Sequence, residues 1–329
     1  MLRYALRRLW QLVPTTAGVL LLTFVLFHVV GGSSAEVVLG QHADAASIAA
    51  FNARYGYDKP LLLGGWTETA GQPLARRVGH LFDTQLVNYV ASLARGDLGD
   101  SAAYGMRVAD VLRAGVGPSL SITVPILLGG TVIALMLAML AAAHQGRFAD
   151  KAVLLGSAFL MSVNYVVWIL AGQFFLSYKL RLFPIWGFEG VAYVVLPVLI
   201  GIFSGLGRDI RYFRTVFLDE MDRPYVRTAV SKGLPPRRVF WGHVFPNALI
   251  PVVTYVSLSI PYLFTGSLLL ESFFGIPGLG GVSINAVNSA DMATVRAVVV
   301  LGALLYQLVN LVTDLCYAWL DPRVSYEGA

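Results

Sequence analysis

The 329-residue sequence has one cysteine and five histidines, and few of its side chains are charged. Cys316 lies inside an apolar run, so it can form no disulfide within the chain and no cysteine-based metal cluster, and its simplest role is that of a small buried apolar side chain. The histidines are scattered and lack the H-x-x-x-H spacing of a helical zinc site. We therefore predict no metal site, no catalytic residues and no enzymatic activity.

Charged residues make up only 13% of the chain, whereas hydrophobic residues make up 57%. This balance is far more apolar than that of an ordinary soluble domain. The net charge of +5 is compatible with nucleic-acid binding, but in such an apolar chain it more often reflects Lys and Arg at the cytoplasmic ends of membrane helices. The composition predicts an all-α polytopic membrane protein that contacts the lipid bilayer and no nucleic acid.

Long apolar runs are the main feature of the sequence. A helix that crosses the hydrocarbon layer needs about 20 apolar residues, because lipid offers the backbone no hydrogen-bond partners. Six runs predict about six transmembrane helices: Leu9–Val30, Ser119–Ala143, Ala152–Leu176, Val191–Leu206, Ala248–Leu270 and Val295–Leu320. The fourth run is short and carries Pro197 and several glycines, so we expect it to be tilted, kinked or completed by flanking residues.

The positive charges are divided unevenly between the short loops. The N-terminal tail and residues 144–151 and 207–247 contain most of the Lys and Arg, whereas the short loops on the opposite side contain only Lys179 and Arg181. Because Lys and Arg resist translocation, both termini are predicted to be cytoplasmic. The first run follows three arginines as a secretory signal does, but it exceeds the length of a signal core and is predicted to be an uncleaved anchor.

Residues 31–117 differ from the rest of the chain by their mixed charges, polar residues and turn formers. Apolar residues recur at three- and four-residue intervals in Ala45–Tyr55 and Gln85–Arg95, which predicts two amphipathic helices in a small folded cap rather than a structureless tether. We therefore divide the chain into a tail with the first transmembrane helix (1–30), an external region (31–117) and a transmembrane core (118–329).

Residues 207–247 form a predicted cytoplasmic loop that carries the signals of a helix-turn-helix. Asp222 can cap a short helix whose first turn accepts Pro224, and Gly233 can end it in the left-handed conformation. A pair of prolines then starts a second short helix, and the next proline is expected to break the chain just before the fifth apolar run.

The first short helix of this loop is predicted to be amphipathic. Tyr225 and Ala229, and likewise Val226 and Val230, form i,i+4 pairs that lay an apolar stripe along one face. The basic residues around it are Arg227, Lys232, Arg237 and Arg238. Such an element can rest on lipid headgroups or dock on a partner protein, and the spacing alone leaves both interpretations open.

The loop resembles the cytoplasmic loop of permeases from binding-protein-dependent, ATP-driven (ABC) importers. Ala229, Gly233 and Pro246 fall on the Ala, Gly and Pro positions of its motif, which reads E-A-A, three residues, G, nine residues, I-x-L-P. Four positions depart from the motif, with Arg227 in place of Glu, Thr228 in place of the first Ala, His243 in place of Ile and Phe245 in place of Leu.

The departures resemble the dipeptide and oligopeptide branch of these permeases, whose loops read R-T-A-x-x-K-G-L as residues 227–234 do here. Other landmarks of that branch follow in order along nearly the whole chain: Tyr4–Leu9, Arg54–Pro60, Gly96–Gly99, Phe264–Ser267 with Glu271, Pro277–Gly280, and Asp314 to Asp321-Pro322-Arg323. The resemblance implies the type I importer permease fold.

In such permeases the short helix of the loop sits in a groove of a cytoplasmic ATPase subunit. The resemblance implies that Tyr225, Val226 and Ala229 bury in that groove while Gly233 sets the end of the helix. Arg227 and Lys232 would meet acidic residues at its rim.

The resemblance also implies partners: a second homologous permease subunit, two cytoplasmic ATPase subunits and an external substrate-binding protein, all serving import at the bacterial cytoplasmic membrane. ATP and Mg²⁺ would bind the ATPases, since this chain has no G-x-x-x-x-G-K-[ST] loop. Peptides, nickel chelates, glutathione-like molecules and peptide antibiotics are all carried by such permeases, so the substrate stays open. The alternative is a self-sufficient secondary transporter or channel powered by an ion gradient, but the internal repeats and buried charges common in such proteins are not visible here.

Polar residues inside the apolar runs indicate faces that meet protein or water. They are Asn164 in the third run, Tyr255, Ser259 and Tyr262 in the fifth, and Gln307, Asn310 and Asp314 in the sixth. We expect them to line a pathway, with hydrogen bonds between helices as the alternative, and we assign Asp314 to a structural pairing near the cytoplasmic end. Beyond the fifth run, Gly275–Gly281 is typical of a re-entrant or gate-adjacent loop.

Overall fold

A computed structural model of the chain describes residues 2–27, 44–55, 58–62, 83–260, 263 and 267–320. These residues form helices and turns without a strand, and Asp100 and Arg107 form an isolated β-bridge. The prediction of an all-α protein is confirmed.

The bounds of the helices follow from this structure. The α-helices of the described residues are α1 (Leu2–Val25), α2 (Ala45–Tyr55), α3 (Gln85–Ala94), α4 (Val108–Ala143), α5 (Phe148–Ser162), α6 (Tyr165–Gly172), α7 (Val191–Met221), α8 (Pro224–Ser231), α9 (Pro236–Val239), α10 (Phe245–Ser257), α11 (Leu268–Phe274), α12 (Leu279–Asn288) and α13 (Met292–Leu320). Two π-helical turns, Gln173–Lys179 and Phe240–Val244, continue α6 and join α9 to α10.

Several helices are long and apolar enough to cross a membrane. Among the described residues the continuous ones are Val108–Ala143, Val191–Met221, Pro236–Ser257 and Met292–Val312. Two helix pairs qualify only together: Phe148–Ser162 with Tyr165–Lys179, bent by 90°, and Leu268–Phe274 with Leu279–Asn288, bent by 85°. The prediction of a polytopic membrane protein is confirmed, but the third predicted run is bent, and the fifth, predicted to reach Leu270, ends its α-helix at Ser257.

The third apolar run, predicted as one helix over Ala152–Leu176, breaks at Val163 and Asn164. Both residues have extended backbone angles, and the Asn164 side chain accepts a 2.9 Å hydrogen bond from the Val166 N–H. An Asn at this position starts α6 in a new direction, because its side chain binds an N–H that has no partner within the helix. Asn164 is therefore an exposed helix cap and not a residue within a straight span.

Helix α7 continues beyond its predicted end, through Gly207 to Met221. A side chain at Gly207 would lie 2.5 Å from the Ser157 carbonyl oxygen, so glycine permits a close approach to α5. Further along, Arg214 donates two hydrogen bonds of 2.6 and 2.7 Å to the carboxylate of Asp150 in α5. These contacts hold the extension in place, so the first part of the predicted cytoplasmic loop is helical.

The described residues group into two compact units. One comprises the described residues of 114–281 and the part of α13 from Leu308 onward, and the other comprises the described residues of 2–113 together with 282–307. In the first unit α7 contributes to two apolar clusters, one near its beginning and one near its end. The proposed division into an external region and a transmembrane core stays a prediction.

The second unit contains both helices that were predicted in the external region, because α2 and α3 match Ala45–Tyr55 and Gln85–Arg95 to within one residue. Tyr89 of α3 packs on Phe24 of α1, with ring centroids 5.9 Å apart, and its hydroxyl lies 3.2 Å from that of Thr23. These contacts give α3 a buried apolar face, as its periodicity predicts.

The Arg214–Asp150 pair generates a stability prediction. We expect Arg214→Met to lower the free energy of unfolding by about 1–3 kcal/mol, because the Asp150 carboxylate loses its charged partner and, among the described residues, keeps only the Gly146 N–H as a donor. The double variant Asp150→Leu/Arg214→Met should recover most of this loss, since neither charge remains. Thermal unfolding of the purified protein in detergent measures both effects.

The matched control is Arg208→Met, whose exposed guanidinium pairs with Asp209 on the same helix. We expect this change to cost less than about 1 kcal/mol. Equal destabilisation by Arg214→Met and Arg208→Met would show that the Arg214–Asp150 pair contributes no more to the free energy of unfolding than an exposed pair does.

Candidate functional site

The α8–α9 segment, residues 222–241, is a tight helix-turn-helix that follows α7. Pro224 is the first residue of α8, where its missing N–H is not needed. Lys232 caps the end of α8, and Gly233 follows it with a φ of 78°, in the left-handed region that favours glycine. The predicted helix-turn-helix, with Pro224 at its start and Gly233 at its first end, is confirmed.

Asp222 does not cap α8, which corrects the prediction for this residue. It is the C-terminal cap of α7, and its backbone N–H donates a 3.2 Å hydrogen bond to Leu218. The residue that precedes α8 is Arg223, which makes no capping hydrogen bond with its side chain. Because α7 extends to Met221, Asp222 is taken up by the end of that helix.

The inner face of α8 is buried inside this chain. Val226 and Ala229 are each 6% exposed and pack with Phe217, Val239 and Val244. Three-residue spacing places both side chains on one face of the helix, so together they fix α8 to the end of α7. They are consequently not free to enter a groove on another protein, and the residues that can do so lie on the other faces of α8.

The hydroxyl of Tyr225 provides a second tie between α8 and α7, because it donates a hydrogen bond to the Glu220 carboxylate. Partial burial and this neighbouring carboxylate raise the pKa of Tyr225 to about 12. The phenol therefore keeps its proton at physiological pH and continues to donate.

The outer face of α8 carries basic side chains and a few exposed apolar ones. Tyr225 and Val230 are exposed, the latter by 58%, and do not continue the buried stripe as their spacing had predicted. Trp241, in the π-helical turn after α9, is also exposed. The exposed basic residues of the segment are Arg223, Arg227, Lys232, Arg237 and Arg238. Such a surface suits an acidic partner or an anionic lipid surface.

Pro246 does not break the chain, contrary to expectation. The helical path runs from Pro236 to Ser257, and the Phe245 N–H donates to the Phe240 carbonyl in a π-helical turn. Proline has no N–H to continue the regular ladder, and a π-helical turn just before it widens the helix at that point. The α8–α9 segment therefore leads into α10 without a free linker.

Two polar residues predicted to line a pathway occur near the end of α10. The Tyr255 hydroxyl donates a 2.7 Å hydrogen bond to Asp209 of α7, and its ring stacks on Tyr212 at a centroid distance of 4.4 Å. Ser259 follows α10 and its hydroxyl contacts the Tyr255 carbonyl at 3.4 Å. The structure thus brings Tyr255 and Ser259 together, with Tyr255 held between helices.

The structure describes only some of the other predicted polar residues. Gln307 accepts a 2.7 Å hydrogen bond from Thr16 of α1, which is the helix–helix contact considered as the alternative. Asn310 is half-buried. Tyr262 and the side chain of Asp314 lie outside the described residues.

The buried carboxylate of Glu271 is the feature that sequence reasoning missed, although the residue was noted as part of a familiar stretch. It is 1% exposed. One oxygen accepts hydrogen bonds from Ser119 Oγ at 2.7 Å and Ser267 N at 3.1 Å, and the other from Gly280 N at 2.7 Å and Gly281 N at 3.1 Å. An acidic residue followed by a glycine-rich turn was the available signal. Four donors from three places in the chain converge on this one side chain.

Hydrogen bonds also fix the end of α11, where the bend toward α12 begins. Gln173 donates its side-chain amide to the Phe273 carbonyl at 2.7 Å, and the Gly187 N–H donates to Phe274 at 2.8 Å. Gly275 turns the chain with a φ of 66°. We call residues 267–281 the Glu271 turn. The two helices of the bend meet at 85°, and the prediction that Gly275–Gly281 is a re-entrant or gate-adjacent loop stays a prediction.

The close packing of the Glu271 turn generates a paired prediction. A Cβ at Gly280 would lie 2.7 Å from Leu268 Cα and 2.9 Å from the Glu271 carboxylate, whereas at Gly281 the nearest atom is 3.8 Å away. We expect Gly280→Ala to lower the free energy of unfolding by about 1–3 kcal/mol through overpacking. Gly281→Ala should be neutral or stabilising by up to about 1 kcal/mol, because alanine is the better helix former.

The measurement is thermal unfolding of both variants in the same detergent. Equal unfolding midpoints for the two variants would contradict the close packing at Gly280, since a Cβ has room at Gly281 and none at Gly280.

Comparison with known proteins gives a consistent result. The family model described as "Binding-protein-dependent transport system inner membrane component" matches residues 115–326, which include the α8–α9 segment and the Glu271 turn. The chain is 28% identical to "Probable D,D-dipeptide transport system permease protein DdpB" of Escherichia coli (strain K12), over 98% of this chain and 97% of that protein. It is 29% identical to "Glutathione transport system permease protein GsiC" of Salmonella choleraesuis (strain SC-B67), over 99% and 100%.

A third relative is "Probable peptide ABC transporter permease protein y4tP" of Sinorhizobium fredii (strain NBRC 101917 / NGR234), which is 28% identical over 98% of this chain and 99% of that protein. The family match covers well over half of the chain and includes all of the candidate site. The chain therefore belongs to the family of binding-protein-dependent transport system inner membrane components.

Proposed function

We propose that this chain is a channel-forming permease subunit of an ATP-driven importer that moves peptides or similar small solutes across the bacterial cytoplasmic membrane. The family consists of non-catalytic membrane components of transport systems. The names of the relatives refer to transport of D,D-dipeptides, peptides and glutathione, and each similarity extends over nearly both full lengths. These names support a peptide-like substrate for this chain.

The observation that carries the proposal is the construction of the α8–α9 segment. An exposed basic and apolar face is held from behind by Val226 and Ala229, which are buried against the end of α7. A surface patch that is firmly mounted on a long helix is suited to receive a push from a partner, because little of the movement is lost in a loose loop. We propose that an ATPase subunit binds this outer face.

The contact residues in this proposal differ in part from those implied by sequence. Tyr225 and Val230 supply the apolar contact, while Arg227 and Lys232 face acidic residues at the rim of the ATPase groove. Val226, Ala229 and Gly233 act indirectly, by fixing the position and the end of α8, and Asp222 by ending α7.

The proposed assembly contains a second homologous permease subunit, two cytoplasmic ATPase subunits and an external substrate-binding protein. ATP and Mg²⁺ would bind the ATPases, an assignment supported by the lack of a phosphate-binding loop in this sequence. The uneven distribution of Lys and Arg supports cytoplasmic termini and an external position for residues 31–117.

The residues proposed to line the pathway remain Asn164, Tyr255, Ser259, Tyr262, Gln307 and Asn310, with Asp314 in a structural role. Among the described ones, Ser259 and Asn310 are half-buried, and a polar side chain in an apolar run is expected to face protein or water. The contacts of Tyr255 and Gln307 support helix packing equally well.

The proposal predicts that a charge on the outer face of α8 prevents ATPase binding without unfolding the chain. We expect Val230→Asp to reduce co-purification of the ATPase subunits about tenfold or more, since burying an unpaired carboxylate in an interface is costly. The stability of the permease itself should not change, because Val230 is 58% exposed. Affinity purification of the co-expressed complex measures the first effect and thermal unfolding the second.

The matched control is Leu182→Asp, which places the same charge on a side chain of similar exposure, 64%, in the loop between α6 and α7. This variant should retain its ATPases. Undiminished ATPase association in Val230→Asp would overturn the docking role of α8, and a loss of lipid binding instead would assign the face to the membrane surface.

A further inference from the structure

Helix α7 contributes to the buried clusters of both the α8–α9 segment and the Glu271 turn. It runs without interruption from Val191 to Met221, which corresponds to about 46 Å at 1.5 Å per residue. Its last turns, through Phe213 and Phe217, pack in the cluster that buries Val226 of α8.

The early turns of α7 pack on the Glu271 turn. Leu196 and Ile200 belong to one buried cluster with Leu270 and Phe274 of α11 and with Ile276 of the turn itself. A contact that is fully buried and close-packed resists sliding, because separating the surfaces would open cavities. A displacement of α7 therefore carries the Glu271 turn with it.

The glycines of α7 and its neighbours bring the helices too close to slide past one another. A Cβ at Gly201 would lie 2.3 Å from the Ile126 side chain of α4, and one at Gly172 would lie 2.5 Å from Ile200. Together with the ties at both ends, this packing makes α7 a stiff connection.

Glu271 joins the remaining pieces of this unit. Its carboxylate accepts hydrogen bonds from the Ser119 hydroxyl of α4, from the N–H of Ser267 before α11, and from the N–H groups at the start of α12. The last two belong to Gly280 and Gly281. The Ser119 hydroxyl in turn accepts a 2.8 Å hydrogen bond from Leu279 N. In the described part of the chain, no basic side chain forms an ion pair with Glu271.

We propose that Glu271 is a positioning residue for transport. By clamping α4, α11 and the start of α12 into one body packed on α7, it makes the movement received by α8 arrive at the Glu271 turn. The inference rests on the proposed function of α8 as the ATPase contact. It adds the Glu271 turn as the place where the movement of α7 is received.

A carboxylate is required at this place because both of its oxygens face donors. Replacing Glu271 by Gln turns one oxygen into an NH₂ group that opposes either the Ser119 hydroxyl and Ser267 N–H or the two glycine N–H groups. The turn is then held on one side only and separates from α4 or from α12, while α8 at the other end of α7 keeps its contacts.

The test uses the full complex, with partner permease, ATPases and external binding protein, reconstituted in liposomes. For Glu271→Gln we expect ATPase association and basal ATP hydrolysis as in the wild type, with a coupling ratio, measured as peptide molecules taken up per ATP hydrolysed, about tenfold lower. Ser119→Ala, which removes one donor, should lower this ratio less. The ratio is normalised to assembled complex, so a general loss of protein does not change it.

The matched control is Ser121→Ala. Ser121 lies on the same helix as Ser119, but its hydroxyl donates to the Pro118 carbonyl and not to Glu271. This variant should keep the wild-type coupling ratio. A wild-type ratio in Glu271→Gln overturns the proposal, as does an equal loss in Ser119→Ala and Ser121→Ala.

If Glu271→Gln does not assemble, hydrogen exchange of the wild-type complex decides the question. The clamp predicts that the amides of Gly280 and Gly281 stay protected both without nucleotide and with ATP bound. Rapid exchange of these amides in either state overturns the proposal. Failure of the proposed function is distinguishable, because then even the wild-type chain binds no ATPase and shows no ATP-dependent uptake.

Discussion

The backbone of a membrane protein must find its hydrogen-bond partners within the protein, because hydrocarbon supplies none. A continuous helix such as α7 pairs its own backbone groups, whereas a break in a helix leaves N–H and C=O groups that need other partners. At the bend between α11 and α12 the chain meets it with the Glu271 carboxylate, the Gln173 amide and the Gly187 N–H. At the bend between α5 and α6, Asn164 caps the new helix. The irregular parts of the core thus depend on a few polar side chains placed at the breaks.

Helix α7 is continuous, and it connects the bend between α11 and α12 to the exposed α8–α9 segment. Buried clusters bind its first turns to Leu270 and Phe274, and its last turns to Val226 and Ala229. The Arg214–Asp150 pair fixes the later turns of the same helix to α5. A protein that receives energy from outside needs such a path between the surface that is pushed and the core that must move.

Much of this architecture follows from the sequence, and the failures have physical causes. Apolar run length and periodicity are local properties, so they predicted the apolar helices α4, α7 and α13, the short helices α2 and α3, and the turn at Gly233. The extension of α7 and the break at Asn164 depend on contacts with residues far away in sequence, such as Ser157 and Asp150. The same holds for Val226 and Ala229, whose apolar face fits a partner's groove or this chain's own core equally well in pattern. The glycine-rich turn after Glu271 was a local signal, but the burial of its carboxylate depends on donors from α4 and α12 that are distant in sequence.

We propose that the energy for transport enters this chain from separate ATPases and not from an ion gradient. The most direct measurement compares uphill peptide uptake into liposomes that contain the purified chain alone, under an imposed proton or sodium gradient, with uptake into liposomes that contain the full complex with binding protein and ATP. We expect accumulation only in the full complex, and only while ATP is hydrolysed. Uphill accumulation by the chain alone would contradict it.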